Sequence, residues 1–138
     1  MKDCTVQGVA RMGKDALAKY LGIEIEEIRP GYARARMKVT EHLLNGVNVT
    51  HGGAVFSLAD VVFAAASNAH GPVALALNVN INFFRPTKSG DTLIAEATEE
   101  NLTKQTGVYR MEVKNEKKQK VAVAHGTVFR KNEEAALD

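Results

Sequence analysis

Residues Gly52 to Ala69 read GGAVFSLADVVFAAASNA and carry one ionisable side chain, Asp60. Ala and Leu favour a helix, and Val55, Ala59, Val62, Phe63 and Ala66 recur at helical spacing. A helix that is apolar nearly all round has protein rather than water on most of its faces, so the segment predicts one long buried helix. His70, Gly71 and Pro72 terminate it.

Downstream of this helix the pattern is that of strands only. Val73, Leu75, Leu77, Val79, Ile81 and Phe83 alternate with Ala74, Ala76, Asn78, Asn80 and Asn82, an unbroken period of two. Thr92–Thr98, Gly107–Lys114 and Val121–Arg130 predict three more strands, the last two joined by the charged turn Asn115–Lys120. Upstream, Ile23–Thr40 is extended and interrupted at Pro30-Gly31; Ala33, Ala35, Met37 and Val39 alternate with Arg34, Arg36 and Lys38, so one face is apolar and the other basic. Thr5–Tyr20 places Val9, Met12, Ala16, Leu17 and Tyr20 on one side of an amphipathic leader helix that Gly22 stops. Glu41–Thr50, with Asn45, Gly46 and Asn48, is a loop. This order predicts an α+β fold in which an antiparallel sheet carries one long helix. The sheet edges then need cover, which predicts self-association by edge pairing or face stacking.

Composition narrows the function. The chain has 138 residues, 45% apolar and 25% charged, the mixture of one globular domain spanning 1–138, with 1–4 and 131–138 as flexible tails. Cys4 is the sole cysteine, so no intramolecular disulfide forms and a reducing compartment is expected. Eighteen Lys and Arg against 16 Asp and Glu leave a net charge of +2, too small an excess to point to nucleic acid. Val61–Phe84 is uncharged but interrupted by Ser67, Asn68, His70, Gly71, Pro72 and three further Asn, and residues 1–14 hold no apolar block. Neither a membrane span nor a secretory signal is expected, and the reading is a cytoplasmic protein.

Several chemistries are missing from the sequence. There is no G-x-S-x-G elbow, no phosphate loop and no dinucleotide fingerprint. The histidines at 42, 51, 70 and 125 lack zinc-site spacing, so no metal and no cofactor is expected. Asp60 remains. A carboxylate within an uncharged helix is costly to bury as an ion, and desolvation raises its pKa, which suits either a functional group or a structural Asp bonded across an interface. Ser57, Asp60 and Ser67 share a helix face and form a narrow polar stripe. His51 precedes Asp60 by nine residues, half a turn around the axis and about 13 Å along it, so one helix cannot bring both to one atom. If both serve one reaction, two copies of the chain supply them. Gly52 and Gly53 open the helix, where free N–H groups and the positive dipole end suit a carbonyl oxygen, or where glycine merely permits the turn.

The segment L-N-G-x-x-x-x-H-G-G-x-x-F-S-L-A-D (Leu44–Asp60) with F-A-x-A-S-N (Phe63–Asn68) resembles the PaaI-like branch of hotdog-fold acyl-CoA thioesterases. N-x-x-x-N-F-F-R-P (Asn78–Pro86), G-D-T-L (Gly90–Leu93) and K-Q-T-G-V-Y (Lys104–Tyr109) extend the likeness over residues 15–130. The resemblance implies a sheet wrapped around the helix, with Asp60 as nucleophile or as base on water and the Gly52 N–H polarising the thioester carbonyl. It gives His51 and Asn45 helper roles, with Asp60 facing them across a dimer interface. It further implies Ser67 and Gly53 near the substrate, basic residues such as Arg85, Lys88 and Lys104 on the coenzyme A phosphates, and a homotetramer built as a dimer of dimers. Branch members act on aryl-acetyl or other small aromatic acyl-CoA such as phenylacetyl-CoA; coenzyme A is part of the substrate. A hotdog dehydratase or isomerase, or a non-catalytic acyl-CoA-binding module, is the alternative.

Overall fold

The computed structural model describes residues 8–131. Residues 8–12 are helical (α1), and a second helix, α2 (Ala16–Leu21), follows. The single leader helix expected over Thr5–Tyr20 is therefore two helices, and its first residues lie outside the described range. Gly13 and Lys14 make the break. Asp15 then starts a new helix, its carboxylate accepting the Ala18 N–H at 3.0 Å, a capping bond a continuous helix would not need. Gly22, at φ 76°, closes α2 in the left-handed conformation that glycine adopts without strain.

Six strands follow the prediction closely: β1 (Glu24–Arg29), β2 (Tyr32–Lys38), β3 (Ala74–Phe83), β4 (Thr92–Leu102), β5 (Thr106–Lys114) and β6 (Lys120–Arg130). All adjacent pairs are antiparallel, in the order β1-β2-β4-β5-β6-β3. The strand expected over Thr92–Thr98 is four residues longer, because a bulge at Glu99–Asn101 lets the polar end stay paired to β5. The tails expected at 1–4 and 131–138 lie outside the described residues except for Lys131, whose N–H still donates to the Val73 carbonyl at 2.8 Å.

The buried helix is α3 (Gly52–Asn68), lying across the concave face of the sheet and touching all six strands. The residues beneath it are small. Ala33 pairs with Ala97 and Ala35 with Ala95 on β2 and β4, and all four are closed off from water. Leu58, Val62 and Phe63 of α3 fill the space above the sheet. Phe63 meets Tyr109 of β5 edge-on, with ring centroids 5.8 Å apart, and covers Gly126 of β6. Beyond the C-terminal end of α3, Glu99 accepts from the Tyr109 hydroxyl at 2.9 Å and pairs with His70 Nε2 at 2.6 Å, while the Gly31 N–H caps the Ala66 carbonyl at 3.0 Å.

β3 is the exception to the sequence pattern. Its alternation suggests a half-buried strand, yet it occupies an edge and a bulge between Ala76 and Asn78 breaks the period. Leu75, Leu77, Phe83 and Phe84 are exposed, Leu77 at 64%.

Gly126 tests the close seating of α3. A Cβ there would lie 2.6 Å from the Phe63 ring tip. Gly126→Ala is expected to lower unfolding free energy by about 1–3 kcal/mol. Denaturant titration should also show that Phe63→Leu partly relieves that cost; a neutral Gly126→Ala contradicts the packing described.

Candidate active site

The start of α3 is assembled by the loop before it. Asn45 Oδ1 accepts the N–H groups of Val47 at 3.0 Å and Val49 at 3.3 Å, so the expected helper residue first of all folds its own loop. The His51 N–H donates to the Leu43 carbonyl at 2.7 Å, and Thr50 is pinned to Thr87 by a backbone bond of 2.8 Å and a hydroxyl contact of 2.6 Å. That Thr50–Thr87 clasp was not singled out from sequence, because two threonines 37 residues apart carry no local signal.

His51 is the N-cap of α3. Its Nδ1 accepts the Gly53 N–H at 2.8 Å, which places the ring proton on the exposed Nε2. The His51 carbonyl accepts from Ala54 at 2.9 Å. Of the first N–H groups of the helix, the Gly52 donor has no acceptor among the described residues. Cap residue and glycine thus work together: the histidine ring satisfies one donor and leaves its neighbour open at the positive end of the dipole.

Two clefts flank this point. One, of about 280 Å³, lies between Gly52, Val55, Phe83, Phe84 and Thr87. The other, of about 250 Å³, runs between α2 and the helix start and is walled by Leu17, Leu21, Leu44, His51, Gly53 and Ser57.

Asp60 sits further along α3, partly buried, on a side where Asp15 of the α2 cap acts on it. Desolvation foremost, then the Asp15 charge, push its carboxyl above the ordinary aspartate range. The other members of the expected polar stripe are turned inward on their own helix. Ser57 donates to the Gly53 carbonyl at 2.8 Å, and Ser67, 1% exposed, donates to the Phe63 carbonyl at 2.9 Å. Within one chain Asp60 does not meet His51, nine residues and about 13 Å of helix away. Arg85 and Lys88 line a common groove beyond Phe84, whereas Lys104 lies past the other end of β4, roughly 35 Å along the strand. Among the described residues no three His, Cys, Asp or Glu side chains gather to hold a metal ion, and no helix is long and apolar enough to cross a membrane.

A long helix embraced by one six-stranded antiparallel sheet defines a hotdog protein. The thioesterase superfamily profile matches residues 47–122, and the chain belongs to that superfamily, in its PaaI-like branch, as a hydrolase acting on thioester bonds. It is 46% identical over 116 residues to the acyl-coenzyme A thioesterase PaaI of Escherichia coli, covering 84% of this chain and 83% of that protein. The solved structure of E. coli PaaI, from the phenylacetic acid degradation operon, superposes with a TM-score of 0.88 at 42% identity over 94% of both chains. A putative esterase of Archaeoglobus fulgidus is 48% identical over 120 residues, 87% of this chain and 78% of its own. A Streptococcus mutans protein solved with acetyl-CoA is 29% identical, with a TM-score of 0.76 over 79% of this chain and 88% of that one.

The raised pKa of Asp60 has a stability consequence. A carboxyl whose folded pKa exceeds its unfolded value holds its proton more tightly when folded. Its ionisation therefore costs stability as pH rises from the unfolded through the folded pKa, and the full cost is reached above the folded pKa. Asp60→Asn is expected to raise Tm at pH 7, with the gain shrinking as the pH is lowered towards 4. Equal Tm values for both proteins at pH 7 would show that burial does not strain this carboxylate.

Proposed function

We propose that the protein hydrolyses acyl-CoA thioesters in the cytoplasm, with a small aromatic acyl group such as phenylacetyl as substrate. The observation that carries the chemistry is the unpaired Gly52 N–H at the start of α3, beside the cap formed by His51. A carbonyl oxygen accepting that N–H gains stabilisation as it becomes an oxyanion, and the His51 Nε2–H on the neighbouring cleft is a second donor at the helix start. Asp60 takes a proton from water, the resulting hydroxide adds to the carbonyl carbon, and the tetrahedral intermediate collapses with cleavage of the C–S bond. The thiolate leaves as CoA and takes up the proton. A carboxylate with a pKa raised by burial is a better base for this step than an ordinary one.

Because Asp60 lies half a turn and about 13 Å from His51, the Asp60 of each site comes from a second copy. The unpaired outer edge of β3, flanked by exposed Leu75, Leu77 and Phe83, supports dimerisation through that strand, with two dimers forming a tetramer. The leucine-walled cleft beside His51 and the origin of the E. coli relative in the phenylacetic acid degradation operon support the aryl acyl group. Asn45, whose Oδ1 holds the loop that leads into the helix start, acts as a positioning group.

Gly52 allows a test that spares the fold. His51 has φ −60° and ψ 133°, the conformation a residue before proline prefers, and proline is at home in the first position of a helix. Gly52→Pro removes the N–H alone, whereas Gly52→Ala keeps it, its Cβ resting 3.5 Å from Phe83. With phenylacetyl-CoA and a thiol reagent, Gly52→Pro is expected to lose about 10²–10³ in kcat, and Gly52→Ala far less. Asp60→Asn should lose at least as much as Gly52→Pro. A fully active Gly52→Pro protein removes the oxyanion role; an active Asp60→Asn protein removes the base.

A further inference from the structure

Helix α2 lies between two clefts. Leu17 and Leu21 wall the cleft of about 250 Å³ that reaches His51 and Gly53. Behind α2 is a second, apolar cleft of about 300 Å³, lined by Val9, Met12, Ile23, Ile25 and Ile28. The segments on either side of the helix are anchored by polar bonds: Arg11 of α1 donates to the Gly71 carbonyl at 2.5 Å, and β1 pairs with β2. Between these anchors the chain is held differently. Among the described residues, the hydrogen bonds of residues 15–22 stay within residues 12–23, as in the Asp15 N–H to the Met12 carbonyl at 3.3 Å and the Ile23 N–H to the Ala18 carbonyl at 2.9 Å. The attachment of α2 to the body is apolar, through buried Ala18 and half-buried Leu21. The turn at Gly13–Lys14 and the left-handed Gly22 give it a joint at each end.

We infer that α2 is an adjustable wall of the acyl cleft, with Leu17 and Leu21 as the residues that decide which acyl groups the site accepts. The inference rests on the acyl-CoA reading above and deepens it. Leu17 is 56% exposed at the edge of the cleft, and a ring laid against it removes apolar surface of both from water. A short acyl group leaves both leucines uncovered and gains nothing from them. A helix without polar tethers shifts against its neighbours without breaking a hydrogen bond, and the cleft behind α2 supplies the room. An acyl group larger than phenylacetyl therefore displaces α2 towards Ile25 and Ile28 instead of being rejected. This selectivity lies outside the residues 47–122 that the superfamily profile matches.

Three thioesters read the wall: acetyl-CoA, phenylacetyl-CoA and 2-naphthylacetyl-CoA, compared by kcat/KM. The wild type is expected to hydrolyse the naphthyl compound within about tenfold of the phenyl one, and acetyl-CoA less well than either. Leu17→Ala should lower the phenylacetyl-to-acetyl ratio about tenfold, the worth of a methylene or two in an apolar pocket. Ile25→Trp fills the cleft behind α2 and lies outside the acyl cleft. It should lower the naphthylacetyl-to-phenylacetyl ratio about tenfold and leave the phenylacetyl-to-acetyl ratio unaltered. Rejection of the naphthyl compound by wild type, or unchanged ratios in either variant, overturns the inference. Hydrogen exchange tests the same wall without turnover. In the free protein the amides of α2 should exchange faster than those of α3, and S-phenacyl-CoA, a thioether that is not hydrolysed, should slow them. Failure of that compound to bind, or binding that leaves α2 exchange unaltered, overturns the inference whether or not the variants fold. A protein that hydrolyses none of the three thioesters, yet protects α2 on binding the thioether, keeps the wall and loses the hydrolase reading.

Discussion

The close seating of α3 on the sheet is the constraint from which the rest follows. Alanine at 33, 35, 95 and 97, with glycine at 126, lets the helix axis approach the strands, so the sheet wraps it instead of lying flat beneath it. Larger residues there would lift the helix. Because α3 is held along its length, its first turn is fixed relative to β3 and to the Thr87 wall, and the Gly52 N–H points to a defined place. The helix that forms the core therefore also aims the donor proposed for the site, and neither role can be varied independently of the other.

The same burial shapes Asp60. A helix nearly free of polar side chains gives a carboxylate little to bond to, and desolvation raises its pKa. What is unfavourable for folding is useful to a base, so the folding cost at neutral pH and the proposed chemistry share one origin. His51 shows the complementary economy: one ring nitrogen caps the helix and the other remains available.

The fold was legible because its two strongest signals were local. The apolar run Gly52–Ala69 and the period of two in the later strands each need only neighbouring residues to be read, and α3 and β3 to β6 lie where they indicate. Signals of a different kind were missed. The break at Gly13–Lys14 in the leader depends on an Asp15 cap that competes with helix periodicity, and a β3 pattern that looks half-buried belongs to an exposed edge because alternation does not say what covers a face. At the site, His51, Gly52 and Asp60 stood out as residue types in unusual surroundings. The Thr50–Thr87 clasp did not, since it joins two threonines distant in sequence.

The central claim is that the catalytic unit is a pair of chains, each supplying the helix start of one site and the Asp60 of the other. Mixed dimers of Asp60→Asn and His51→Ala chains, isolated through two different tags, measure this directly. If Asp60 and His51 come from different chains, each mixed dimer holds one site with neither substitution, and its turnover should return to about half that of wild type although both parents are impaired. If instead one chain supplies both residues, every site in the mixed dimer carries a defect. Turnover no higher than that of the parents contradicts the account.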